Sequence, residues 1–296
     1  MEEWFALVQS ALSALPRPSD TAEMLHNAGL LPAEWDMLVS SYLCEPPPSV
    51  DLLAEWLPYT APQLCKARLT ALLEKGFLQA LNEQECLLTD RAVELIETWV
   101  ERKRAQLAAQ APLPWRDLRQ LAHLLSRIVQ AALAAPPPPH KIHLLGNQRL
   151  APSADAAPMM HIDQSLTDLL WFRDDAHIAA WREHGFDGPS IEVLTLVWRG
   201  EATDLDGLSA MLSEQRGYSR QDYARVVARL QARDFVHVSA AELSVTPAGR
   251  AVREEIESTT DRYFMFPWTA LLPIEVRQLR DLLQCFVHAS SAPFTP

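Results

Sequence analysis

The chain is written twice. Lys66 to Phe77 (KARLTALLEKGF), followed from Leu87 by LLTDRAVELIETW, has a counterpart in Ala224 to Phe235 (ARVVARLQARDF), followed from Leu243 by LSVTPAGRAVREEI. The order continues with Pro114-Trp115 and Arg119-Gln120-Leu121 in one half, Pro267-Trp268 and Arg277-Gln278-Leu279 in the other, at an offset of 153 to 158 residues throughout. Solenoid units run ~20–50 residues, so a period this long marks a duplicated domain. One chain can then form what two subunits would otherwise form.

Each half has the same coarse plan. A long helix comes first (Glu2 to Leu15; Asp163 to His184), then a second (Glu34 to Leu43; Ser190 to Trp198). Two helices joined by a short turn follow: Val50 to Leu57 and Ala61 to Lys75, then Leu205 to Ser213 and Ser219 to Arg233. Ser219 and Asp222 have nearly the spacing and chemistry of a capping box. Next come two short apolar strands, Phe77-Leu78 with Leu87-Leu88, and Phe235 to Val238 with Leu243 to Val245. Thr89 and Thr246 then stand where a new helix needs a cap. This order describes a winged helix, a helix-turn-helix with a β-ribbon. The expected fold is mainly α with small β-wings: two tandem winged-helix domains arranged as an internal pseudo-dimer.

The run Pro136 to Pro139 reads as a stiff, extended spacer, and His140 to Pro158 as loop. The expected domains are therefore residues 1–135, a Pro-rich linker and loop over 136–160, and residues 161–296. A smaller break falls at Cys44 to Pro48.

Composition excludes more than it selects. No apolar run reaches the ~18 residues that a membrane helix needs, and the acidic, amphipathic start is no secretory leader, so the expectation is a cytoplasmic chain. Four scattered cysteines lack zinc-ligand spacing and are expected to be small buried hydrophobes. A net charge of −12 argues against broad nucleic-acid affinity while permitting one local basic face. There is no G-x-S-x-G, H-E-x-x-H or Gly-rich phosphate loop, which leaves a hydrolase or nucleotide enzyme without support. No cofactor is expected.

The second half resembles the SalK-like helix-turn-helix family. The matching residues are Asp175-x-His177, Gly185-Phe186-Asp187-Gly188, Leu212 to Ser219 (LSEQRGYS) with Asp222-Tyr223, Leu243 to Gly249 (LSVTPAG), and Arg253 through Arg262 with Pro267-Trp268. The resemblance covers roughly a third of the chain and implies a fold similar to the ligand-responsive MarR-type regulators, whose flanking helices build the dimer interface. The first half departs from the pattern at Tyr42 to Pro46.

Two sets of residues are candidates for function. Arg220, Arg225 and Arg229 lie on the predicted recognition helix of the second half, with Arg216 in the preceding turn, and suit contacts to guanine or phosphate. The corresponding first-half wing, Asn82 to Glu85, is acidic and would repel phosphate, so a symmetric palindrome reader is a poor fit. The second set is a polar and aromatic cluster: Asp175, His177, Glu257 and Asp261 with Trp171, Trp181, Phe264 and Trp268. Pockets are mostly apolar with a few convergent polar groups, so this cluster is the best candidate for binding a small hydrophobic or aromatic ligand. The same residues also suit an interface ion-pair network and an aromatic core.

Two functions from different classes follow. One is a ligand-responsive DNA-binding transcriptional regulator that contacts duplex DNA through the second half, with phosphate contacts from the wing near Ser239 to Ser244. The other is a scaffold that has lost DNA binding and acts as a small-molecule binding or sequestering protein, or an enzyme, at the central Asp/His/Glu cluster. Either suits a monomeric pseudo-dimer or a homodimer, with no membrane partner.

Overall fold

The computed structural model describes residues 2–16, 18–44, 48–82, 85–239 and 242–291. Five helices, α1 (Glu2–Ser13), α2 (Thr21–Ala28), α3 (Pro32–Leu43), α4 (Val50–Trp56) and α5 (Pro62–Glu74), lead into an antiparallel ribbon of β1 (Leu78–Ala80) and β2 (Cys86–Leu88). Next come α6 (Asp90–Ala108), α7 (Trp115–Ala134), α8 (Ile142–Asn147), a 3₁₀ turn (Gln148–Leu150) and α9 (Pro158–Glu183). Then α10 (Gly188–Arg199), α11 (Leu205–Arg216) and α12 (Arg220–Ala232) precede a second ribbon, β3 (Val236–Ser239) and β4 (Glu242–Val245). The chain closes with α13 (Pro247–Met265), a 3₁₀ turn (Phe266–Ala270) and α14 (Pro273–Ser291). The protein is thus mostly helical with small two-stranded sheets. The order of three helices, ribbon and long helix occurs twice.

The two ribbons share their register. Leu78 lies opposite Leu88, and Val236 opposite Val245. Each is closed in the same way: Thr89 N–H donates to the Phe77 carbonyl at 3.0 Å, and Thr246 N–H to Phe235 at 3.1 Å. Parts of the two predicted wing tips (Glu83, Gln84, Ala240 and Ala241) and of the predicted break (Glu45 to Pro47) lie outside the described residues.

Two compact units divide the chain, and each draws on both repeats. The first comprises residues 1–31, 90–176 and 261–296; the second comprises 32–89 and 177–260. In the first unit, α7 buries Leu118, Leu121, Leu125, Ile128 and Ala132, a helical stripe. They join Leu279, Leu283 and Phe286 of α14 and the pair Phe264 and Trp268 in one core. In the second unit, Tyr223, Val226 and Leu230 of α12 pack with Leu208, Leu212, Val193, Leu194 and Val197. Burying each such aliphatic side chain contributes about 1.5–3 kcal/mol.

Local chemistry explains the helices of the second motif. Asp187 accepts from Ser190 N–H at 2.9 Å to start α10, and Asp204 accepts from Gly207 N–H at 2.7 Å to start α11. A complete capping box, Ser219 with Asp222, starts α12. Thr246 Oγ1 accepts from Gly249 N–H at 2.9 Å to start α13. The two threonines also share a contact: the Thr89 hydroxyl donates back to the carbonyls of Gly76 and Phe77, and the Thr246 hydroxyl to that of Asp234.

The stretch expected to be loop departs most from expectation. Residues 142–150 are helical, and the proline run has cis bonds at 137–138 and 138–139. Helix α8 starts without a side-chain cap of its own. Asp175 of α9 supplies one, accepting from the N–H groups of His143 at 3.1 Å and Leu144 at 3.0 Å.

Candidate functional site

Helix α12 is the more basic of the two turn-helix segments, and its outward surface is Arg220, Gln221, Arg225, Ala228, Arg229 and Gln231, all exposed. Its other face is sealed into the core. The three arginines divide between two sides. Arg220 lies with Ala224, Ala228 and Gln231 along a groove of about 990 Å³ bounded by Asp204 to Asp206 and by Val238, Ser239, Glu242 and Leu243 of the ribbon. Arg225 and Arg229, four apart, share another side of the helix, and Arg229 reaches the start of α10.

Each arginine is held by a carboxylate. Arg220 pairs with Asp206 and Arg225 with Asp222; Arg229 reaches Asp187 at 2.9 Å and the Ser190 hydroxyl at 3.2 Å. The guanidinium of Arg220 holds the Asp206 carboxyl below the usual range, and the Ser219 hydroxyl does the same for Asp222. The three arginine side chains are 55–63% exposed. Surface pairs of this kind contribute about 0–1 kcal/mol, so a phosphate can replace the carboxylate at little cost.

Arg216 is placed differently. It ends α11, bonds Glu192 at 2.7 Å and stacks over the Tyr59 ring at 5.6 Å. Burial pushes the Glu192 carboxyl up, and the Arg216 charge opposes that shift. Here the turn before α5 meets the end of α11 within the second unit. Ala61 N–H, at the start of α5, donates to the Arg216 carbonyl at 2.7 Å, and Trp181 Nε1 donates to the Tyr59 hydroxyl at 3.1 Å. The contact is tight. A Cβ on Gly188 would lie 2.0 Å from the Pro58 carbonyl oxygen, and one on Gly217 would lie 2.6 Å from Leu64 Cβ. Gly217 also has φ +77, the left-handed conformation that favours glycine at a helix end.

The second candidate set falls in both units. In the first, Asp175 is buried against His143, whose Nδ1 lies 2.8 Å from its carboxylate and whose ring stacks on Trp171 at 5.4 Å. Asp261 approaches Arg173 at 3.5 Å, and Phe264 and Trp268 pack together in the core at 4.6 Å. In the second, His177 Nδ1 lies 3.1 Å from Thr260 Oγ1, which is also 2.8 Å from the Ile256 carbonyl oxygen. Glu257 pairs with the buried Arg253 at 2.6 Å and lies 4.0 Å from His177. Trp181 is a core residue. Among the described residues no group of three His, Cys, Asp or Glu side chains could hold a metal ion.

Sequence reasoning missed three features. His143, the partner of Asp175, lay in the presumed loop. Asp168 is 1% exposed and accepts from Asn147 (2.7 Å), Gln148 (2.6 Å) and Gln164 (3.0 Å). Burial nevertheless pushes its carboxyl up to about 6. The third is a cavity of about 300 Å³ in the first unit, lined by Pro136 to Pro139, Phe172, Arg262, Tyr263 and Phe266. Its aromatic walls are neighbours of the predicted ones; Tyr263 and Phe266 share a spacing of three that separates them from the core pair Phe264 and Trp268.

A helix-turn-helix family model matches residues 146–293, half of the chain, and the chain belongs to this helix-turn-helix family. No curated protein and no solved structure matches the chain. Among the described residues no helix is long and apolar enough to cross a membrane.

Proposed function

We propose that the protein is a MarR-like, SalK-like DNA-binding regulator built as an internal pseudo-dimer of tandem winged helices, and that it responds to a small apolar or aromatic ligand. The observation that carries the DNA half is the exposed surface of α12. Arginine pairs with guanine or phosphate, glutamine with adenine, and alanine with the thymine methyl. Arg220, Gln221, Arg225, Ala228 and Arg229 supply that vocabulary on the outer surface of one capped helix.

The pseudo-dimer is supported by contacts between corresponding parts of the repeats. In the first unit, Gln120 Nε2 donates to Gln278 Oε1 at 3.5 Å across a separation of 158 residues, the repeat offset itself. Such self-pairing is what a two-fold interface produces. In the second unit the two helix-turn-helix turns meet at Ala61 and Arg216. Two-fold readers space their recognition helices by about one DNA turn, ~34 Å. Motifs joined turn to turn, one with Lys66 and Arg68 and the other with four arginines, suit a single asymmetric site.

A second reading, a small-molecule binding scaffold without DNA affinity, is favoured by the carboxylate partner at every arginine of this surface and by the net charge of −12. Selection from a random duplex pool separates the two. The regulator enriches one short, non-palindromic motif; equal recovery of all sequences, or none, refutes it.

A further inference from the structure

We propose that an open cationic pocket in the first unit binds a nucleotide carrying two or more phosphates. The pocket shares no residue with α12 or with the cavity beside the proline run. The proposal therefore goes beyond the function given above and does not rest on it.

Helix α7 builds one wall. Its stripe of Leu118, Leu121, Leu125 and Ile128 is buried in the core. Arg116, Arg119, Gln120 and His123 stand at i, i+3, i+4 and i+7, which is one face of a helix, and all four line the pocket. His161 of α9 and the small loop residues Ala154 and Ala156 complete the lining around about 730 Å³.

The charge of this lining is one-sided. It contains no Asp or Glu, in a chain whose net charge is −12. Arg116 and Arg119 are exposed and have no ion-pair partner among the described residues. The arginines of α12, by contrast, are each held by a carboxylate. Two acids that adjoin the pocket are engaged elsewhere: Asp155 bonds Ser153, and Glu275 pairs with Arg127. The lining also includes the first residues of two helices, Trp115 of α7, which has no side-chain cap, and Pro158 of α9. The unpaired N–H groups and positive dipole end of a helix start add to the attraction for an anion. A guanidinium takes phosphate with two parallel bonds, and a histidine ring N–H donates one more. Two arginines and two histidines supply more donors than one phosphate can use.

Trp115 specifies the rest of the ligand. It is 59% exposed, while its counterpart in the repeat, Trp268, is 5% exposed in the core. An indole face open to solvent beside a cluster of cations is a stacking platform for a planar base. The volume falls within the range of small-molecule sites. The four basic side chains gather in one pocket, where a strand binder would track a backbone over several nucleotides.

The test uses the full chain, isothermal titration in magnesium-free buffer, and four probes: ADP, inorganic pyrophosphate, adenosine and a single-stranded oligothymidylate. Stacking on one indole face tolerates any base, so ADP stands for the class. Pyrophosphate is expected to bind roughly tenfold more weakly than ADP for want of stacking. Adenosine should bind roughly a hundredfold more weakly, having lost the charge-assisted bonds to two arginines, and the oligonucleotide more weakly than ADP. Trp115→Ala should bring ADP to the affinity of pyrophosphate. Arg116→Gln combined with Arg119→Gln should abolish binding of both. These side chains are exposed, circular dichroism checks that the variants remain folded, and the ranking of probes on the wild type stands without any variant. ADP binding no tighter than pyrophosphate or adenosine, ADP binding unchanged in the double variant, or no ADP binding by the wild type overturns the proposal. An oligonucleotide that binds more tightly than ADP also overturns it, and would mark a groove for single strands. No probe is duplex DNA, so failure here is distinct from failure of the regulator.

Discussion

Gly188→Ala sets helix propensity against packing. Propensity alone predicts a gain, because alanine exceeds glycine in a helix by about 1 kcal/mol. The structure predicts the opposite sign. The added Cβ would lie 2.0 Å from the Pro58 carbonyl oxygen, 2.6 Å from its carbon and 3.1 Å from the Tyr59 amide nitrogen. These are backbone atoms, and none can rotate aside as a side chain can. The turn from Pro58 to Ala61 must therefore withdraw. Overpacking of this kind costs about 1–3 kcal/mol. Withdrawal also stretches the Ala61 to Arg216 hydrogen bond, a further loss of about 1 kcal/mol. After the propensity gain is subtracted, a net loss of roughly 1–3 kcal/mol remains. At about 2–4 °C per kcal/mol for a domain of 150–250 residues, the midpoint should fall by several degrees. Thermal unfolding followed by circular dichroism measures it. A midpoint equal to or above that of the wild type would refute the argument that the two motifs are locked together here.

Other outcomes follow from the polar groups. Asp168 holds its proton to about 6 when folded, against an ordinary value of 3.8. Between those values the folded state binds more protons than the unfolded one, so this group lowers stability as pH rises through the window, by on the order of 3 kcal/mol in all. Asp168→Asn should remove that slope, read as the difference in urea midpoints between variant and wild type from pH 4 to 6.5; parallel profiles would contradict it. Arg216→Ala leaves Glu192 buried without its partner and uncovers Tyr59. The expected loss is about 2–3 kcal/mol, below the figure for a fully buried pair because Arg216 is 32% exposed. Arg225→Ala, whose pair lies on the surface, should change stability by less than about 1 kcal/mol. Comparable losses from both would overturn the distinction between a clamping arginine and a reading one.

What could be read from the sequence was whatever rests on short-range chemistry. Ser219 and Asp222 are three residues apart, and the capping box they form is complete. The duplicated apolar pattern placed both ribbons and both turn-helix segments within a few residues. What escaped rests on distant partners. Helix α8 depends on a carboxylate more than thirty residues away, Asp175, so its own six residues carry no sign of where it starts. Arg216 looks on the page like the other arginines; only Tyr59 and Glu192, brought from elsewhere in the chain, distinguish it. The aromatic cluster was visible as composition. Which members line a cavity and which fill the core depends on helix phase, and a shift of one position separates Tyr263 from Phe264.

The most direct test of the central claim, that α12 reads DNA, is the salt dependence of duplex binding by the wild type and by the variant with Arg220, Arg225 and Arg229 all changed to Ala. Each phosphate contact contributes about −0.9 to the slope of log K against log salt. The account predicts that the wild type binds at low salt and that the variant's slope is shallower by roughly 2–3. Parallel slopes for the two proteins, or no binding by the wild type at the lowest salt, would contradict it.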